Sequence, residues 1–261
     1  MTMLQVFLSV FIFLAGVLIV FVALKKSKFL QKLSLEIEIG GVIYGGVVAV
    51  YSILLAFVVV IVWEQYQATG DRVQLEASKT FNLYRSSFGF PDSTGGKVRH
   101  AIRDYIQSLY VDEWPAMERD TLSLVTKEKY NALWKSIYDI RPKDDYEKIW
   151  YQSMVGGIND FGDARLLRIS DIEASIPDIM WYILIFGGII TLLFAALFKG
   201  KNHRLHFVKI LIFALLIVMN WVLIYLLDHP YKGILKIQPN AFETILHEYS
   251  RKPHPTALPA Q

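Results

Sequence analysis

Cysteine is absent from the 261 residues, so no disulfide, thiolate metal site or cysteine nucleophile is open to this chain. Charge is missing from four long stretches: Leu4–Leu24, Gly40–Val62, Ile179–Phe198 and Ile210–Leu227 hold no Asp, Glu, Lys or Arg. Each is close to the 18 to 25 apolar residues, roughly, that a helix needs to cross hydrocarbon. Glycine-rich phosphate sites are lacking too, with no Gly-x-x-x-x-Gly-Lys loop, no dinucleotide fingerprint and no Gly-x-Ser-x-Gly elbow. The six histidines (His100, His203, His206, His229, His247 and His254) show no zinc-ligand spacing with a carboxylate, and His203 and His206 are read as interfacial polar residues. No nucleophile, metal cluster or acid/base pair assembles, so the chain is not read as an enzyme and no cofactor is implied. A coupled transporter usually carries a charge mid-membrane, and the absence of one disfavours pumping.

What is present falls in blocks. The chain is 54% hydrophobic, and the four uncharged runs account for an all-α polytopic membrane protein with four transmembrane helices. The first run has no basic residue before it and is long for a signal core, so it is expected to be a retained helix. Lys25, Lys26, Lys28 and Lys32 fill the connection after it, and Lys199, Lys201, Arg204 and Lys209 fill the one between the third and fourth runs. The positive-inside rule assigns both connections to the cytoplasm and the N-terminus, central region and C-terminus to the other side. Lys232 and Lys236 pull weakly the opposite way. The central residues 62–179 carry 15 Lys and Arg against 19 Asp and Glu, an acidic balance that argues against nucleic acid.

The second run continues past Val62 through Glu64, Tyr66, Val73, Ala77, Phe81 and Tyr84 with helical spacing, interrupted only by Gly70. Phe90-Pro91-Asp92-Ser93-Thr94-Gly95-Gly96 is a turn signal, and Val98, Ile102, Tyr105, Ile106 and Leu109 predict a helix ending near Trp114-Pro115. Tyr130 to Tyr138 marks a third helix before Pro142, and a fourth runs from about Asp144 toward the third span. The expected organisation is transmembrane helices 1 and 2 over 1–62, an extramembrane helical domain over 63–178, transmembrane helices 3 and 4 over 179–227, a juxtamembrane turn and amphipathic helix over 228–250, and a disordered tail over 251–261. The amphipathic helix is a candidate to lie on the membrane surface. The acidic pairs Asp112-Glu113, Glu118/Asp120 and Asp144-Asp145 lack the alternation of a calcium loop and read as solvated surface.

On the second run Gly41, Gly45, Ala49, Ser52 and Ala56 recur every three or four residues, with Glu38 and Glu64 at the two ends. Small residues at this spacing admit close backbone approach. Two readings stay open: the stripe lines a pore at an oligomer axis, with carboxylate rings at its mouths, or it is a packing seam against a sibling helix. At about 100° per residue Glu64 falls a quarter-turn from the stripe. Asn220 is read as a packing amide that bonds a neighbouring helix.

Val62-Trp63-Glu64-Gln65-Tyr66, followed by Glu76-Ala77 and Leu83-Tyr84-Arg85, resembles the bacterial bestrophin-like membrane proteins of unknown function. Asp112-Glu113-Trp114-Pro115, Ala164-Arg165 with Arg168, Pro177 with Trp181, and Leu227-Asp228-His229-Pro230-Tyr231-Lys232-Gly233 support the resemblance. Asp160-Phe161-Gly162-Asp163 departs from it, being acidic where relatives more often carry a base. The family's name comes from oligomeric anion channels with a helical soluble region, so the resemblance implies a homo-oligomeric channel for inorganic ions in a bacterial inner (plasma) membrane. The pore carboxylates point to cations. The alternative is a non-conducting membrane scaffold or sensor whose external helices bind a ligand or protein.

Overall fold

The computed structural model describes residues 37–198 and 203–250, together with 8, 11–13, 15–17 and 19 of the first uncharged run. Those residues of the first run are helical. The remainder of Leu4–Leu24, the lysines after it, Lys199, Lys201 and the 251–261 tail lie outside the described residues. Regular structure among the described residues is helical throughout.

Helix α1 (Ile37–Ser86) is unbroken over 50 residues. At about 1.5 Å per residue it is roughly 75 Å long, more than twice the ~30 Å hydrocarbon layer. It is too long to lie wholly within such a layer. No proline interrupts it, and Gly70 alone costs only about 1 kcal/mol relative to alanine. After a 3₁₀ turn at Ser87–Gly89 come α2 (Asp92–Ser108), a π turn at Leu109–Glu113, α3 (Trp114–Met117), α4 (Leu124–Tyr138) and α5 (Asp145–Ser170). Then follow α6 (Asp178–Leu197), α7 (His203–Asp228), a 3₁₀ turn at Pro239–Phe242 and α8 (Glu243–Ser250). Among the described residues α1, α6 and α7 are the three helices long and apolar enough to cross a membrane.

Two compact units result, one from residues up to Tyr66 with Ser175–Leu235, the other from Gln67–Ala174 with Lys236 onward. In the first, Val58 and Val62 of α1 pack with Leu184 of α6 and Ile224 and Leu227 of α7. A second cluster gathers Tyr51, Leu192, Ala214 and Ile217, against which Phe13 and Val17 of the first run rest.

The helical unit has a water-soluble style of core. Val98, Ile102, Tyr105, Ile106 and Leu109 are wholly buried, facing Leu133 and Ile137 of α4 and Met154, Ile158 and Phe161 of α5. Each such aliphatic side chain contributes roughly 1.5–3 kcal/mol. Ser123 caps α4 by accepting from the Thr126 N–H at 3.2 Å. Asp144 caps α5 by accepting from Glu147 N–H at 2.7 Å, while the Glu147 carboxylate reaches back to Lys143 N–H at 2.9 Å.

Two sequence expectations are corrected here. Asp92 to Gly96 is the first turn of α2 rather than loop, because Asp, Ser and Thr suit a helix start as well as a turn. Gly95 is needed there, since a Cβ would stand 2.2 Å from the Ser87 carbonyl. The helical path from Asp92 ends at Met117, close to the expected Trp114-Pro115, after passing through a π turn. Proline lacks an N–H and crowds the carbonyl four residues before it, and the π turn at Leu109–Glu113 absorbs that conflict. The amphipathic segment near the C-terminus buries Phe242 and Ile245 within the helical unit, with Phe242 edge-on to Trp114, so that apolar face is already covered by protein.

Candidate functional site

The small-residue stripe is exposed among the described residues. Gly41, Gly45, Ala49, Ser52 and Ala56 are all exposed, and a Cβ at Gly41 or Gly45 would meet nothing within 4 Å among the described residues. Another face of α1, about a third of a turn away, makes contacts with the other described helices, with Tyr51 at 6%, Val58 at 1% and Val62 at 0% exposure. Glu64 is exposed. Glu38 lies in the first turns of α1, but its side chain is outside the described residues.

Close approach between spans is instead provided by glycines on α6. A Cβ on Gly187 would sit 2.8 Å from the Tyr51 ring, and one on Gly188 would sit 2.4 Å from Trp221. The Tyr51 hydroxyl donates to the Leu184 carbonyl at 3.1 Å and accepts from the Trp221 indole N–H at 2.8 Å. Tyr44 stacks on Phe194 at 5.6 Å. Asn220 donates to Leu216 O at 2.8 Å in its own helix, and this replaces the expected bond to a neighbour.

The polar rim of the membrane unit joins two helix ends. Asp228, at the end of α7, accepts the Ile176 N–H at 2.8 Å just before α6. His229 stacks on Tyr225 at 4.3 Å. Gly233 closes the turn with φ 75°, a left-handed conformation in which a Cβ is disfavoured.

The helical unit contains a buried ionic cluster that sequence reasoning did not assemble. Glu76 of α1, Glu113 of the π turn and Arg168 of α5 are 0% exposed and Arg165 is 6% exposed. Arg168 pairs with Glu76 through Nε and with Glu113 through Nη2 at 3.5 Å. Arg165 pairs with Glu113 at 2.8 Å and donates to the Tyr105 hydroxyl at 2.6 Å, while that hydroxyl donates to Glu76. The Arg168 guanidinium also lies 4.9 Å from the Trp114 ring centre. Two acids match two bases, so the cluster carries no net charge. Burial, and then the Glu76 charge, lift the Tyr105 hydroxyl above its ordinary range and keep it a donor. Burial opposes the charge of Arg168, yet Glu76, Tyr105 and Glu113 outweigh it and hold the guanidinium protonated. Glu113, expected on a solvated surface, is therefore interior. Nearby, Asp171 pairs with Arg72, and burial raises its carboxyl above the usual range despite that partner.

Every member of the ionic cluster except Tyr105 lies in a motif that carried the family resemblance: Glu76-Ala77, Glu113-Trp114-Pro115, and Ala164-Arg165 with Arg168. The departing segment also finds its place. Phe161 is buried edge-on to Tyr105 at 5.2 Å, Gly162 leaves room for Trp134 and Tyr130, and Asp160 pairs with Lys79 at 2.8 Å. Among the described residues no group of three His, Asp or Glu side chains could hold a metal ion.

The family model of the bestrophin-like domain matches residues 8–242. Among solved structures, a point variant of a bacterial bestrophin homologue from Klebsiella pneumoniae is similar at TM-score 0.70, with 12% identity, over 95% of this chain and 100% of that one. A crystal structure of a membrane protein, also a point variant, is similar at TM-score 0.63 and 13% identity, over 93% and 96% of the two chains. At such identity these likenesses concern the fold. No curated protein matches the chain.

Proposed function

This chain belongs to the bestrophin-like family, and from that premise we propose that it is one subunit of a homo-oligomeric ion channel in a bacterial inner membrane. The pore is lined by the second span, with Gly41, Gly45, Ala49, Ser52 and Ala56 along the path and Glu38 and Glu64 near its mouths. The observation that carries this reading is the exposure of all five small residues on a helix whose other face is packed. A stripe that meets no partner among the described residues of the protomer can meet the same stripe of other copies around an axis. Carboxylates at the mouths favour cations.

In this reading residues 1–62 and 179–227 supply four spans, 63–178 stand outside the bilayer, and 228–250 return to that extramembrane part. The lysine-rich connections assign the extramembrane part to the non-cytoplasmic side. Single cysteines introduced at exposed Asp120 or Asp145 are then expected to react with an impermeant maleimide in intact spheroplasts, and protection until lysis reverses the topology.

Ion flux from liposomes reconstituted with the purified protein tests conduction, comparing potassium, sodium and chloride gradients. Ser52→Trp places bulk on the exposed stripe and is expected to abolish flux without disturbing the protomer. Cysteines at Gly45, Ala49 and Ser52 are expected to be water-accessible in this otherwise cysteine-free chain. A reversal potential following chloride overturns the cation assignment, and absence of flux under every gradient favours a scaffold or sensor.

A further inference from the structure

The membrane unit carries aromatic side chains at two matching levels of its three long helices. One level holds Trp63 and Tyr66 of α1, Trp181 and Tyr182 of α6, and Tyr225 of α7. The Trp181 and Tyr225 rings meet edge-on at 6.3 Å, and Tyr66 and Trp181 pack against the cluster that contains Val62, Leu184 and Leu227. Trp63 and Tyr182 are exposed, and the Tyr66 hydroxyl donates to Leu235 O at 2.7 Å. At the other level Tyr44 of α1 meets Phe194 and Phe198 at 5.6 and 5.5 Å, and Phe207 stands in the first turns of α7. The interval between levels is nearly constant: 19 positions from Tyr44 to Trp63, 17 from Trp181 to Phe198 and 18 from Phe207 to Tyr225. At 1.5 Å per residue these are about 26–29 Å. The cluster of Tyr51, Leu192, Ala214 and Ile217 lies close to the midpoint of all three intervals, so the levels are in register across the unit.

We propose that these two levels are where the lipid headgroup layers meet the protein, with the hydrocarbon core confined between them. Tyr and Trp join an apolar ring to a hydrogen-bonding tip, which suits the boundary between hydrocarbon and water. The spacing agrees with a hydrocarbon thickness of about 30 Å. Exposed side chains midway between the levels are aliphatic, among them Ile53, Ile190 and Leu216, and these three mark the midplane. Glu64, next to Trp63, then stands at headgroup depth, Gly41 stands at the opposite headgroup layer, and Ser52 is the deepest member of the small-residue stripe. The assignment rests on reading α1, α6 and α7 as membrane spans and does not depend on whether they conduct.

The test is spin labelling of the full-length protein in liposomes of phosphatidylcholine and phosphatidylglycerol, one cysteine at a time in this cysteine-free chain. Labels go on exposed positions of two helices: Ile179, Ile183, Phe186, Ile190 and Leu193 of α6, and Leu205, Val208, Ile212, Leu216 and Leu223 of α7. At each, collisions with oxygen, which concentrates in hydrocarbon, are compared with collisions with a water-soluble nickel chelate. The ratio is expected to peak at Ile190 on α6 and at Leu216 on α7, each within one helical turn, about 5 Å. A peak displaced by more than a turn on either helix overturns the headgroup assignment while leaving the spans in place. A nickel chelate that reaches Ile190 and Leu216 as readily as Ile179 and Leu205 overturns the spanning reading itself, and this assignment with it.

Discussion

The two units solve the same problem, how to place polar groups in an interior, in opposite ways. The helical unit buries two carboxylates and two guanidiniums together, each ionic partner within reach of another. Among the described residues the membrane unit buries no such ion cluster between its spans. It uses a neutral chain from the Trp221 indole through the Tyr51 hydroxyl to the Leu184 carbonyl, with Asp228 kept to the rim. With the helical unit outside the bilayer, as proposed above, the difference follows from solvent. A folding chain in water can expel water from a balanced cluster late, after its partners have met, whereas an ion placed in hydrocarbon faces the full desolvation cost unless it is paired on entry.

Breaking the balance of the cluster should have the largest effect. Arg168→Met leaves Glu76 buried without its principal base, and a loss of about 3–5 kcal/mol is expected, read as reduced yield and a lowered melting temperature of the purified protein. Glu76→Leu combined with Arg168→Met keeps the remaining Glu113–Arg165 pair neutral and should recover most of that loss. If the double variant is no better than the single, the cluster serves something other than mutual neutralisation.

The two sets of glycines sharpen the contrast between faces of the membrane unit. Gly188→Ala forces a Cβ against Trp221 and Tyr51, and should cost about 1–3 kcal/mol by overpacking. Gly45→Ala meets open space and should leave the protomer's thermal stability unchanged, while altering the size distribution of the oligomer in light scattering. Equal destabilisation by both substitutions would mean that Gly45 packs within the protomer after all.

The two units also differ in how openly the amino-acid sequence declares them. The uncharged runs at 40–62, 179–198 and 210–227 announce their helices by length and absence of charge, and the continuation of α1 as one helix past Val62 is legible in the spacing from Trp63 to Tyr84. The exposure of the stripe is not, because small residues at every third or fourth position suit a sibling seam and an outer face equally. In the structure Gly187 and Gly188 make the close approaches, against Tyr51 and Trp221, while the stripe is exposed among the described residues. The ionic cluster is hidden for a related reason. Glu76, Glu113, Arg165 and Arg168 are residue types that ordinarily occupy solvated helix faces, and their partners lie 52 to 92 positions apart along the chain. Their sole signal is membership of polar motifs shared with a family.

Trp221→Phe should have a smaller consequence. It removes the indole donor to Tyr51, whose hydroxyl retains its own bond to Leu184 O. A loss of about 0.5–1.5 kcal/mol is expected, as a modest fall in melting temperature. Tyr51→Phe should exceed it, since it strands the indole N–H and also removes the second bond to Leu184 O, which keeps its ordinary backbone partner.

The smallest effect belongs to the residue that looks most anomalous in the sequence. Asn220 is the strongly polar side chain in an otherwise apolar run, and an amide bridging two helices would contribute about 1–2 kcal/mol on removal. Its amide instead donates to Leu216 O, an acceptor one turn back in the same helix. Asn220→Leu therefore breaks no contact between spans, and Leu216 O keeps its ordinary backbone bond. Thermal stability should stay within about 0.5 kcal/mol of wild type. A markedly larger loss in the assembled oligomer, with none in the isolated protomer, would relocate the amide's partner to another subunit.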